Sequence, residues 1–184
     1  GFLGFLTSKY EGKIYGKREG FQNIYKGEIG HLEFHKYVSQ NFYECTPKNI
    51  AQKADRWEGY IRCQQSKINQ PIDIALLGNS HAEHLFIGLA EDLKNRNVGF
   101  YITGNGLNVS DPEFIRIFEA ALTDPIIRTV IVANMWVERE IPKSELISAF
   151  RRLVDSGKDV YVTDDIPVFG TDPDHCKFDG ICTQ

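Results

Sequence analysis

The residues best suited to chemistry lie between Gly78 and His81, where an apolar run ends in Gly-Asn-Ser-His. The run from Ile74 to Leu77 predicts a buried strand, and an apolar pattern with helical spacing begins immediately after the motif. A serine on such a turn has its hydroxyl exposed at the carboxyl end of the strand, where the first helical amides also point. Ser80 is therefore a candidate nucleophile for acyl transfer.

Two further predicted strand ends carry groups that acyl transfer needs. Residues 98–102 predict a strand that runs into Thr103-Gly104-Asn105-Gly106, and residues 129–133 predict one that ends before Asn134. The carboxyl ends of parallel strands meet at one edge of a sheet. We expect the Ser80 amide, a glycine amide near Gly106 and the Asn134 carboxamide to be donors for a developing oxyanion there.

Each of these residues also has an ordinary structural interpretation. Ser80 is a good cap for a helix beginning at His81. Gly104 and Gly106 are typical turn residues, and Asn134 is a common residue after a strand. The functional hypothesis depends on all of them falling at successive strand ends.

Strands and helices alternate from residue 73 onward. The predicted strands cover residues 74–77, 98–102, 129–133 and 160–162, and the segments between them have one apolar face at helical spacing. A capping-box sequence begins at Ser110, and Gly157 is a predicted helix stop. This alternation predicts an α/β domain with a parallel sheet covered by helices on both faces.

The first 70 residues lack this regular pattern and are predicted to be a linker or extension packed on the main domain, which spans residues 71–184. Within the extension, Thr46-Pro47 is typical of a helix start. The apolar residues that follow at helical spacing predict a helix, and they are Ile50, Ala54, Trp57 and Ile61.

The composition limits the class of protein. The chain has 184 residues, a net charge of −4 and no basic run, which argues against a nucleic-acid surface. It has no glycine loop with a lysine for phosphates. No uninterrupted apolar segment is long enough to cross a bilayer, although Gly1 to Leu6 is a short apolar patch.

The four cysteines fall into two local pairs, Cys45 with Cys63 and Cys176 with Cys182. An even count in local pairs favours two short-loop disulfides, which would imply an oxidising compartment. A zinc site is an alternative, but neither pair has the close spacing that zinc ribbons favour. Four unrelated buried thiols are the remaining alternative.

The segment Gly78-Asn79-Ser80-His81-Ala82 resembles the Gly-Asp-Ser motif of SGNH hydrolases. It is most similar to the Gly-Asp-Ser-His-Ala form in the periplasmic domain fused to acyltransferase-3 membrane proteins, which O-acetylate lipopolysaccharide O-antigen and other surface glycans. Asn134-Met135-Trp136 and Asp165-Ile166-Pro167, followed by a cysteine pair, extend the likeness over most of the chain.

This resemblance implies a three-layer α/β/α flavodoxin-like fold on the periplasmic side of the bacterial inner membrane. It implies Ser80 as nucleophile and an integral-membrane acyltransferase-3 domain in the same full-length chain as partner. The acetyl donor, ultimately acetyl-CoA, would be delivered by that membrane domain. We expect no metal and no cofactor in this domain.

Three departures from the family pattern stand out. Asn79 replaces the usual Asp, and only Asn134 survives from the Gly-x-Asn-Asp block. The third is the base, for which the family has a late Asp-x-x-His. Asp172 and His175 have that spacing, with His175 as base and Asp172 orienting it, but they lie directly before Cys176. The alternative is an Asp-x-x-His beyond Gln184, with this chain truncated at its C-terminus.

The other histidines are poorer candidates for the base. His81 is adjacent to Ser80, His84 suits a helix surface, and His31 and His35 in the extension suggest solvated roles. Two alternatives to acyl transfer onto a glycan hydroxyl stay open. One is an SGNH-type esterase that deacetylates such a glycan. The other is a non-catalytic glycan-binding module.

Overall fold

The structure is a computed structural model that describes residues 30–46, 48–52, 54, 56–102, 111–136 and 143–164. Its elements follow in chain order. They are α1 (Gly30–Asn41), β1 (Tyr43–Glu44), α2 (Lys48–Ala51), β2 (Arg56–Trp57), β3 (Tyr60–Ile61), β4 (Cys63–Gln65), β5 (Ile74–Gly78), α3 (Ser80–Asp92), β6 (Val98–Ile102), α4 (Pro112–Thr123), β7 (Thr129–Ala133), α5 (Lys143–Asp155) and β8 (Asp159–Val162).

One six-stranded sheet organises the domain, with the strand order β1-β4-β6-β5-β7-β8. Strands β6, β5, β7 and β8 are parallel, whereas β4 pairs antiparallel with β6 and β1 with β4. The chain moves from β5 to β6 on one side and then crosses over to β7 on the other. The direction of winding therefore reverses between β5 and β7, and their carboxyl ends form the topological switch point of the sheet.

Both faces of this sheet are covered by helices, which makes the domain a three-layer α/β/α structure. Side chains alternate along β5, so that Leu76 packs with Phe86 of α3 and Phe34 of α1. Leu77 belongs to the opposite core, together with Phe118 of α4. A strand buried on both faces is apolar throughout, which is why residues 74–77 form an unbroken apolar run. The predicted α/β fold is confirmed.

The strands and helices predicted after residue 73 are confirmed among the described residues, with shifts of a residue or two at their ends. The predicted capping box at Ser110 begins outside the described residues. The end of α5 shows how local chemistry fixes a boundary. Gly157 has φ +82°, its N–H donates to the Val154 carbonyl, and the Lys158 N–H donates to the Leu153 carbonyl. This is a Schellman cap, which needs a residue in the left-handed region and therefore favours glycine.

The predicted helix after Thr46 is wrong beyond its first turn. Helix α2 ends at Ala51, and the chain then forms the β2–β3 hairpin, in which Trp57 pairs with Tyr60. The two residues between these strands, Glu58 and Gly59, both have positive φ. Two positive φ angles are the signature of a tight hairpin turn, so this turn overrides the helical spacing of the apolar residues.

Strand β4 lies within the first 70 residues and is nevertheless part of the main sheet, because Cys63 pairs with Tyr101 of β6. A disulfide joins Cys63 to Cys45, with the two α-carbons 5.4 Å apart. This bridge matches the predicted first cysteine pair. The predicted division at residue 70 stays a prediction. Among the described residues, no helix is long and apolar enough to cross a membrane.

Candidate active site

The centre of the site is the tight junction between β5 and α3. Gly78 is opposite Ala133 of β7, and the Asn79 N–H donates to the Ala133 carbonyl over 3.4 Å. Gly78 has φ +144°, and a β-carbon there would overlap that same carbonyl. Glycine is therefore required if the chain is to turn into the helix this close to the neighbouring strand.

Asn79, rather than Ser80, caps helix α3. Its side-chain oxygen accepts from the His81 N–H at 3.0 Å, and its carbonyl accepts from the Ala82 and Glu83 N–H groups at 3.0 and 3.3 Å. The alternative in which Ser80 serves as the helix cap is wrong. Because Asn79 satisfies three amides of the first turn, the cap does not consume the Ser80 side chain.

Ser80 is the first residue of α3 and is half-buried at the switch point. Within the part of the chain that the structure describes, neither its hydroxyl nor its amide has a hydrogen-bond partner. The amide points along the helix axis, where the helix dipole favours negative charge. The residue thus presents an oxygen nucleophile and an N–H donor at the same place.

Asn134 follows directly after the Ala133 that pairs with Gly78, so the structure brings Asn134 beside the Ser80 turn. Its side chain is completely buried, and its Nδ2 donates to the Met135 carbonyl over a long 3.4 Å. The strand end beyond it is fixed because the Trp136 indole N–H donates to the Thr163 carbonyl at 2.9 Å. The position of Asn134 is thus described, and its role as an oxyanion donor stays a prediction.

Several predicted site residues lie outside the described residues. They are Gly104 and Gly106 after β6, the pair Asp172 and His175, and the cysteines Cys176 and Cys182. Their roles stay predictions. The end of β6 itself is described, because Ile102 pairs with Gly78 and so brings the third strand end next to the serine turn.

The described histidines do not supply a base for Ser80. The His84 ring is exposed on α3 and packs edge-on against Phe34, with centroids 6.0 Å apart. His35 is buried, not solvated as its position in the extension suggested, and its Nδ1 lies 3.6 Å from an oxygen of Glu83. None of the described histidines is hydrogen-bonded to the Ser80 hydroxyl.

A buried ionic cluster beside the site escaped sequence reasoning. Glu83, three residues after Ser80, is only 2% exposed and is paired with Arg62 at 2.7 Å as well as with His35. The available signal was a glutamate on the inner face of the helix, between the buried Ala82 and Phe86. A carboxylate at such a position needs a buried cation, but the sequence does not say which one.

A groove of about 470 Å³ lies elsewhere on the domain, between α4 and α5. Phe114, Phe118 and Ala149 contribute apolar side chains to it, and an ion pair of 2.7 Å between Arg152 and Glu119 lies at its edge. None of its lining residues belongs to the strand ends at the switch point. In the described ranges no cluster of three or more His, Cys, Asp or Glu residues could hold a metal ion.

The fold and the turn together define the class of protein: a doubly wound α/β domain with a serine at the switch point of its sheet. The model of a family described as the SGNH domain fused to AT3 domains matches residues 44–180. Since that match covers most of the chain, the chain belongs to this family. No curated protein and no solved structure shows significant similarity to it.

Proposed function

We propose that this chain is the acyl-transfer domain of a membrane-bound O-acyltransferase, placing an acetyl group on a hydroxyl of a surface glycan such as lipopolysaccharide O-antigen. The observation that carries the proposal is the hydrogen bonding around Ser80. Its hydroxyl and amide have no partner among the described residues, while Asn79 satisfies the rest of the helix start. A serine retained only as a helix cap would not be arranged in this way.

The reaction has two acyl-transfer steps. The Ser80 oxygen attacks the acetyl carbonyl and loses its proton to a base. The tetrahedral intermediate collapses to an acyl-enzyme as the donor group leaves and takes that proton from the base. A glycan hydroxyl then attacks the ester and gives its proton to the same base, which returns it to the Ser80 oxygen as the acetylated glycan is released. Asp172 and His175 remain the predicted orienter and base, with an Asp-x-x-His beyond Gln184 as the alternative.

Both steps pass through an oxyanion, and the site offers donors for it. The Ser80 amide and the buried Asn134 carboxamide lie at the ends of neighbouring strands, and Gly106 is the predicted third donor. One such donor contributes roughly 3–4 kcal/mol in comparable sites. Oxyanion stabilisation is therefore the main catalytic effect we assign to this domain.

The family description places SGNH domains in chains with AT3 domains, which supports an integral-membrane acyltransferase-3 partner in the same chain. In this proposal the membrane domain delivers the acetyl group, drawn from acetyl-CoA, and the present domain works in the periplasm. The disulfide between Cys45 and Cys63 is consistent with that oxidising compartment.

The test compares wild-type protein with Ser80→Ala in two assays. The first incubates the protein with nitrophenyl acetate, with and without acceptor glycan, and looks by mass spectrometry for an acetyl group on the peptide that contains Ser80. The second measures acetylation of the cell-surface glycan in a strain that carries the full-length protein. Ser148→Ala is the matched control, since this serine is exposed on α5 away from the switch point.

We expect the acetyl adduct and the glycan acetylation in the wild type and in Ser148→Ala, and neither in Ser80→Ala. Strong turnover without acceptor and no transfer to glycan would make the domain an esterase. Unchanged surface acetylation in Ser80→Ala would end the catalytic proposal and leave a glycan-binding module.

A further inference from the structure

The buried cluster of Arg62, Glu83 and His35 joins the extension to the helix that carries the candidate nucleophile. Arg62 lies between β3 and β4, His35 on α1 and Glu83 in the first turn of α3. The Arg62 Nη2 and Nε atoms donate to the Glu83 Oε2 at 2.7 and 3.1 Å, and Nε also lies 3.3 Å from Oε1. Their side chains are 13% and 3% exposed.

The position of Glu83 conflicts with chemistry at Ser80 unless its charge is neutralised. Residues three apart on a helix have β-carbons about 5–6 Å apart. A carboxylate carried one helical turn from Ser80 opposes the negative charge that develops on an oxyanion there. In a buried setting this repulsion is much stronger than in water.

The ion pair is poorly explained by stability alone. Burying a carboxylate and a guanidinium costs desolvation of both, and well-packed apolar residues of similar size are often as stable or more stable. What an apolar pair cannot do is hold the first turn of α3 through directed hydrogen bonds to a neighbouring segment. Here two guanidinium N–H groups fix the carboxylate from one side.

Arg62 is itself held in place by its neighbours in the chain. Arg62 directly precedes Cys63, which is bridged to Cys45 and paired with Tyr101 in the main sheet. The His35 ring packs on the Tyr60 ring with centroids 5.9 Å apart, on the hairpin strand before Arg62. The extension therefore presents a fixed cation to the helix of the candidate nucleophile.

We propose that Arg62 is a positioning residue for acyl transfer at Ser80. Its ion pair with Glu83 holds the first turn of α3 in place and offsets the negative charge of the carboxylate in that turn. The inference rests on the proposed function of Ser80. It adds that the extension is part of the catalytic unit rather than only a spacer.

The test measures kcat, KM and the thermal midpoint in the full natural protein for Arg62→Gln, Glu83→Gln and the double variant. Arg62→Gln removes the guanidinium from beside Glu83 and leaves His35 at 3.6 Å from its carboxylate, so kcat should fall about tenfold or more while KM changes little. The double variant has no charge at either position and can keep an amide–amide hydrogen bond. It should recover kcat to within about threefold of wild type.

Arg96→Gln is the matched control. It removes a guanidinium that pairs with Asp73 at 2.9 Å, before the start of β5 and at the opposite end of the sheet from Ser80. Its kcat should equal that of the wild type. If Arg62→Gln is too unstable to assay, the double variant and Glu83→Gln are compared with wild type instead, since neither carries the buried carboxylate. Both should keep kcat within about threefold of wild type, and a larger loss in either would overturn the inference.

The inference is overturned if Arg62→Gln keeps wild-type kcat, or if the double variant is as slow as Arg62→Gln at an unchanged thermal midpoint. It is also overturned if Glu83→Gln alone lowers kcat as much as Arg62→Gln. Ser80→Ala, assayed alongside, separates the two proposals. If it retains wild-type turnover, the proposed function fails and the inference fails with it. If it is inactive while Arg62→Gln is fully active, only the inference fails.

Discussion

Gly78 and Ala133 lie opposite each other at the carboxyl ends of β5 and β7, and no side chain fits between them. The contact brings the Asn79 N–H to the Ala133 carbonyl and sets the start of α3 directly beside Asn134. The geometry of the proposed site thus depends on the absence of one methyl group.

Gly78→Ala should be strongly destabilising. The new β-carbon would overlap the Ala133 carbonyl, and the backbone φ of +144° is one that L-residues rarely adopt. We expect a loss of about 2–4 kcal/mol in the free energy of unfolding, measured by urea denaturation. Gly88→Ala is the control, because a β-carbon there meets nothing within 4 Å and should stabilise α3 by about 0.5–1 kcal/mol. Equal stability of the two variants would contradict the close approach.

Asn79 should tolerate aspartate better than alanine. Asn79→Ala removes the acceptor for the His81 N–H and should cost about 1 kcal/mol of stability. Asn79→Asp keeps that acceptor and places a negative charge at the positive end of the helix dipole. We therefore expect it to match or exceed wild-type stability by up to about 1 kcal/mol. Thermal unfolding at low ionic strength measures both, and an Asp variant as unstable as the Ala variant would rule out this capping role.

The oxidation state of the cysteines can be counted directly. Alkylation of the unfolded, unreduced protein should add no label if the predicted bridge between Cys176 and Cys182 accompanies the one between Cys45 and Cys63. Two labels would mean that only the first bridge forms. Replacing Cys45 and Cys63 together by alanine should lower the free energy of unfolding by about 3 kcal/mol, given the short loop that the bridge closes. No loss of stability would contradict a structural role for this bridge.

Alkaline pH should destabilise the fold through Tyr101. Burial, with a smaller contribution from the negative charge of Asp124, raises the pKa of its hydroxyl above the usual value near 10. The folded state therefore holds this proton more tightly than the unfolded state. Its contribution to stability is complete below about pH 10 and is lost as the pH rises above that value.

Tyr101→Phe should accordingly flatten the fall in urea midpoint between about pH 10 and pH 11.5. The loss of stability at neutral pH should be small, because the one hydrogen bond of this hydroxyl within the described residues is a long one of 3.5 Å to the Thr46 carbonyl. Tyr161→Phe is the control, since that side chain is 58% exposed and meets water in both states. If the urea midpoint falls equally with pH in wild type and in Tyr101→Phe, the Tyr101 hydroxyl is not the source of the alkaline destabilisation.

Sequence reasoning succeeded where the signal is local. The strand 74–77 is buried on both faces and is therefore apolar throughout, and Gly157 ends α5 through a cap that only nearby residues build. The position of Ser80 follows from the same strand-to-helix pattern. These features need no knowledge of distant parts of the chain.

Prediction from the sequence failed where the burial of a residue depends on a partner far away in the chain. Strand β4 has the sequence Cys-Gln-Gln, which carries no apolar alternation, yet Gln65 is 1% exposed. Its amide is satisfied by Thr46 on one side and by the Lys67 carbonyl on the other. The ion pair of Arg62 with Glu83 is a similar case, because each residue read alone suggests a solvated surface.

The bond from Asn79 to Ala133 also has a consequence for the order of folding. It closes a long loop that contains all of α3, β6 and α4, and contacts so far apart in sequence form slowly. Until β7 docks, the turn at Ser80 lacks its neighbour and Asn134 has no fixed place. A partly folded chain would therefore have the serine but not its surroundings, and reactivity would arise only once β7 has paired with β5.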